Sequence, residues 1–132
     1  SGNITGIQIK TAGSVSPTSF GNESSGDWFE VTRLFSPYVQ PLPLSFDLAV
    51  ARLPAGNVIA DHFVEAEQVG YVLSGEGLVT LNCIPYRITA GDLLSIPANI
   101  HQRFEADEEM EILLITSPYY TPDMDHAGDL IC

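Results

Sequence analysis

Gly56-Asn57-Val58-Ile59-Ala60-Asp61-His62-Phe63-Val64-Glu65-Ala66-Glu67-Gln68 opens the stretch that decides the fold, and Ala90-Gly91-Asp92 with Ile96-Pro97-Ala98-Asn99-Ile100-His101 closes it. Between them Tyr71-Val72-Leu73 runs into the turn Ser74-Gly75-Glu76-Gly77. Each end is a short polar cluster introduced by a glycine turn and followed by apolar, strand-like residues. Alternate residues of a strand share a face, so His62 and position 64 point to one side, and Gln68 joins them from the next strand. The chemistry of the chain is expected at these two ends.

Outward from this stretch the pattern stays that of strands. Trp28-Phe29-Glu30-Val31-Thr32-Arg33-Leu34-Phe35 is an aromatic and β-branched run that stops at Ser36-Pro37. Residues 44–53 alternate, with Phe46, Leu48 and Val50 on one face and Asp47, Ala49 and Ala51 on the other, and end at Pro54-Ala55-Gly56. Further strands are expected over residues 57–64, 68–73, 78–83, 86–89, 93–97, 102–105 and 111–116. Short strands with Gly/Pro punctuation and no helical period predict an all-β sandwich or barrel. Residues 1–27, rich in Gly, Ser, Thr and Asn, read as an arm with an edge strand at residues 7–10. The barrel takes residues 28–118, and 119–132 form a tail that makes a turn of helix or wraps the barrel.

The 132 residues fit one domain with a sizeable core. Seventeen carboxylates against five basic side chains give a net charge of −12. Such a surface has no footprint for phosphate backbones or anionic lipid, which argues against nucleic acid and membrane as partners. No apolar run reaches the length needed to span a bilayer. The chain opens on Ser1-Gly2 rather than Met, as a processed or trimmed end would, and shows no leader. Cys83 and Cys132 read as one buried strand thiol and one terminal thiol, so the expected compartment is the reducing cytoplasm.

The two clusters resemble the paired signature of the cupin superfamily. The first motif asks for Gly, five residues, His-x-His, three or four residues, Glu, six residues and Gly; Gly56, His62 and Gly75 match it. Val64 takes the second histidine place and Gln68 the glutamate place. In the second motif Gly91 and Pro97 match, Asn99 stands in for a glycine, and His101 comes one residue early, with Gln102 at the nominal place. Gln68 with its surroundings resembles the uronate-processing cupins of pectin breakdown. The resemblance implies a double-stranded β-helix, or jelly-roll barrel, whose inherited site holds a first-row divalent metal (Fe, Mn, Ni or Zn). It also implies a homodimer, with Trp28, Phe29 and Phe35 as candidate contact residues.

On that basis His62, Gln68 and His101 are the candidate metal ligands. A one-residue shift exchanges inside for outside, so either His101 or Gln102 faces the cavity. Arg103 follows His101 in phase and could clamp a carboxylate, with Arg52, Tyr71 and Tyr86 as further donors. His126, Asp61 and Glu65 read as solvated. Two functions stand: a metal enzyme acting on a carbohydrate or small organic acid by isomerase, lyase or dioxygenase chemistry, or a metal-free binding or sensing module. Its catalytic residues are not identifiable from sequence. Nucleophilic catalysis finds no support, since no Gly-x-Ser-x-Gly turn is present.

Overall fold

A computed structural model describes residues 6–132. Eleven strands are described: β1 (Thr18–Phe20), β2 (Phe29–Phe35), β3 (Asp47–Leu53), β4 (Val58–Val64), β5 (Glu67–Ser74), β6 (Glu76–Leu81), β7 (Ile84–Thr89), β8 (Leu93–Ile96), β9 (Gln102–Ala106), β10 (Met110–Ser117) and β11 (Asp125–Ala127). Only three single-turn 3-10 segments interrupt them among the described residues. One sheet runs β1-β2-β3-β10-β5-β8 and the other β11-β4-β9-β6-β7, with antiparallel pairing throughout. The two sheets face each other as an all-β jelly-roll barrel.

The core lies between the sheets and is built from Leu53, Val72, Val79, Ile96, Phe104 and Met110 among others. Strand β3 shows how period-2 patterning fills it: Asp47, Ala49, Ala51 and Leu53 are buried, whereas Leu48, Val50 and Arg52 are not. The inward face of β3 is therefore its small face. Two alanines in the wall leave room inside the barrel that Leu48 and Val50 would have filled. Gly75 joins β5 to β6 at φ 83°, and an added Cβ would stand 2.1 Å from the Glu109 carbonyl oxygen. Only glycine fits that corner.

Two expectations for the ends are corrected. Residues 7–10 form no strand; the arm pairs through β1, ten residues later, where Phe20 registers with Phe29 and stacks on it. A residue with an aromatic partner on the sheet holds the arm better than the alternating Ile7-Gln8-Ile9. Secondly, Cys83 and Cys132 form a disulfide, with Cα atoms 5.8 Å apart. Cys83 is not in a strand: it sits in the β6–β7 turn at φ 73°. The tail returns along β4 as β11 and brings Cys132 across to that turn from 49 residues away. The argument for a reducing compartment rested on two separate thiols and goes with them. Among the described residues no helix is long and apolar enough to cross a membrane.

Candidate functional site

A cavity of about 110 Å³ lies between the sheets. Its apolar wall includes Phe20, Phe29, Ile59, Phe104 and Leu114, and its polar groups are Arg33, His62, Gln68, Gln102, Thr116, Tyr120 and Asp125. A mostly apolar hollow with a few converging polar groups is the usual form of a small-molecule site.

His62 reaches it through a break in strand phase. The β4–β9 register shifts between Ile59 and His62, so both residues line the cavity although three positions apart. The His62 Nδ1–H donates to the Ala60 carbonyl at 2.8 Å. A carbonyl only accepts, so Nδ1 carries a proton, and in the neutral ring Nε2 is then the acceptor nitrogen, without a partner among the described residues. Val64 follows on the same face and is buried.

Opposite His62, two amides bridge the sheets. Gln102 on β9 is 3% exposed and Gln68 on β5 is 7% exposed. Gln102 Nε2 donates to Gln68 Oε1 at 2.8 Å, and Gln68 Nε2 donates to Thr116 Oγ1 at 3.2 Å. Gln102, not His101, takes the inward position, with Cα partners His62 and Leu81 on the two neighbouring strands. Asn99 at φ 69° makes the preceding turn in the left-handed conformation expected of it.

The remaining polar wall comes from β2 and the tail. Arg33 shares its face with Phe29 and Val31, and its guanidinium lies over the Tyr120 ring with 4.0 Å from Cζ to the ring centre. The Tyr120 hydroxyl donates to Asp125 Oδ2 at 2.6 Å, and its backbone N–H donates to Asp47 Oδ2 at 3.1 Å. Burial first, then the bond to Asp125, pushes the phenol well above its ordinary range. Asp47 is 1% exposed, and burial raises its carboxyl despite the Tyr120 N–H and the Arg33 charge.

The ligand set His62, Gln68 and His101 is not brought together. His101 lies on the outer side of the five-stranded sheet, where its Nδ1 is 3.2 Å from Asp61 Oδ1 and its ring 5.0 Å from Phe63. The one-residue offset in the second motif was a change of face. Arg103 keeps phase with His101, lines the same outer groove and pairs with Glu105 at 2.6 Å. Arg52 is held by Glu30 and by Glu109 at 2.8 Å, while Tyr71 and Tyr86 are exposed. None of these four lines the cavity.

The donor set does not fit a resident divalent metal. The cavity offers one imidazole, two neutral amides that bond to each other, and the Asp125 carboxylate, which accepts from the Tyr120 hydroxyl, with Val64 in a usual histidine place. Among the described residues no cluster of three His, Cys, Asp or Glu could hold an ion. Arg33, Tyr120 and Asp125 were not among the sequence candidates, whereas Gln102 was the alternative to His101 for the inward place. Arg33 alone had a visible signal, as a cation on the same face as Phe29 and Val31; the tail residues enter only through the chain's return.

A cupin-domain family model matches residues 49–116, just over half of the chain. The chain belongs to the cupin family. An acireductone dioxygenase from Tuber melanosporum (strain Mel28) is 32% identical over 71 residues, a match covering 47% of this chain and 41% of that protein. The chain thus matches less than half the length of this relative. Among solved structures, Streptomyces Pac13 with uridine superposes at a TM-score of 0.71 with 22% identity, over 96% of this chain and 95% of that one; it is described as a nucleoside dehydratase. A predicted oxalate decarboxylase from Thermotoga maritima gives a TM-score of 0.71 at 21% identity, over 84% and 99%. At these identities the structural likenesses establish the shared barrel.

Proposed function

We propose that the barrel cavity is a small-molecule site that works without a resident metal, on a small organic acid or a carbohydrate-like ligand. The observation that carries this reading is the cavity's donor set: a single imidazole, two neutral amides bonded to each other, and Val64 in the place of a second imidazole. The polar groups left for a ligand are His62 Nε2, the Arg33 guanidinium and the Tyr120 hydroxyl. Should the site be catalytic, His62 is the group suited to accept a proton in a mostly apolar hollow. The nucleoside dehydratase with uridine supports a barrel of this shape receiving an organic ligand.

Metal analysis of untagged protein, incubated with excess divalent ions and compared with His62→Ala, tests the reading. Less than a tenth of an equivalent is expected in both. Near one equivalent of Fe, Mn, Ni or Zn, lost in the variant, would overturn it in favour of a metal enzyme.

The assembly we propose is a homodimer through the outer face of the six-stranded sheet. Val69, Tyr71 and Leu73 of β5, Leu93 of β8 and Ile115 of β10 are all exposed there. An exposed apolar sheet face marks an association surface, and a two-fold dimer covers it with a second copy. Sedimentation equilibrium should give twice the chain mass, reduced to a monomer by Val69→Glu with Leu93→Glu.

A further inference from the structure

We infer that Arg33 is a carboxylate anchor and that the cavity takes a monocarboxylate with a compact apolar or aromatic body; this rests on the small-molecule reading of the cavity and names its ligand class. Arg33 is 17% exposed and lines the cavity. A guanidinium carries five N–H donors, and Arg33 is half-buried, with its nitrogens open to solvent rather than sealed in the core. These donors make no hydrogen bond among the described residues. Its one ion-pair partner, Asp47 Oδ2, lies 3.6 Å from Nη1, too far for a hydrogen bond.

Asp47 balances the charge without filling the donors, because its nearer oxygen stands 3.6 Å from Nη1 and is turned to the Tyr120 N–H. The Tyr120 ring packs against the guanidinium and holds it in place. A planar, pre-positioned fork with unspent donors matches a carboxylate, which accepts two of them side by side. The other carboxylate at the wall, Asp125, is engaged by the Tyr120 hydroxyl. Phe20, Phe29 and Phe104 supply the surface for the apolar body, and His62 Nε2 can accept from a hydroxyl on it.

Benzoate and its neutral isostere benzamide test this, titrated against the full chain with the His62 ring and Gln102 amide signals read by NMR. Benzoate should bind at least tenfold more tightly than benzamide. Arg33→Met should abolish that preference. Asp47→Asn should tighten benzoate several-fold and leave benzamide unchanged, since the internal competitor for the guanidinium is gone. If Arg33→Met alone does not fold, the double variant with Asp47→Asn, which leaves no unpaired buried carboxylate, replaces it. Equal binding of the two probes to the wild type, or a preference that survives loss of Arg33, would overturn the anchor while leaving the small-molecule reading intact. No shift at either signal with either probe would overturn both.

Discussion

His62 and His101 belong to neighbouring segments of one sheet and face opposite sides of it. His62 looks into the barrel, one nitrogen tied to its own strand and the other open to the cavity. His101 looks outward onto Asp61 and Phe63, beneath a tail anchored by the Leu130 N–H to Asp61 Oδ2 at 2.8 Å and by the disulfide. Phe63 also stacks on His126, whose Nε2 is 2.6 Å from Glu65 Oε1. The outer histidines are spent on holding the tail down; the inner one is unspent. An identical side chain is structural or available according to which face of the sheet it occupies.

The largest expected break in this contrast is on the outer face. Serine at both Cys83 and Cys132 should lower unfolding free energy by about 2–4 kcal/mol, read from urea melts, because it frees a loop of 49 residues. Inside, Gln102→Leu strands the Gln68 oxygen away from water and should cost about 1–3 kcal/mol in the same melts. That variant also tests the amide bridge as the wall of the cavity.

Asp47 adds a pH term. Its folded carboxyl is raised by burial, so the folded protein holds that proton more tightly than the unfolded chain. The stability this confers is present below the ordinary carboxylate value and is lost as pH rises through the folded one. Relative to Asp47→Asn, the wild type should therefore lose ground between acid and neutral pH. Urea midpoints across that range check it; a difference independent of pH would show the carboxyl unperturbed.

The smallest stability changes separate the two histidines most sharply. Each alanine variant should shift stability by less than about 1 kcal/mol. His62→Ala should weaken binding of a hydroxylated benzoate probe several-fold relative to benzoate itself, whereas His101→Ala should leave both affinities unchanged. An equal loss from the two variants would remove the distinction between the faces.

Much of the barrel was legible in local pattern. The aromatic run of β2, the alternation of β3, Gly75 and the left-handed Asn99 announce strands and corners whose physics is settled within a few residues. The site was legible only where it shared those constraints: His62 keeps phase with Val64 beyond the register break in β4, and Gln68 lies on a strand whose phase reads correctly. His101 did not, because one residue of loop length between Pro97 and β9 reverses every side chain after it. Arg52, Arg103 and Tyr71 failed for a different reason, since nearby carboxylates or the outward phase of their strands hold them away from the cavity.

The sequence by itself determined the all-β class, the succession of strands from β2 to β10, and one histidine and one glutamine of the cavity, because alternation and turn residues act over neighbouring positions. Tertiary structure decided that the small face of β3 turns inward and opens a hollow. It also set Gln102 against Gln68, Arg33 against Tyr120, and Cys132 against Cys83. Each of those pairs joins residues from distant parts of the chain, and only the closing of two sheets and the return of the tail bring them within reach.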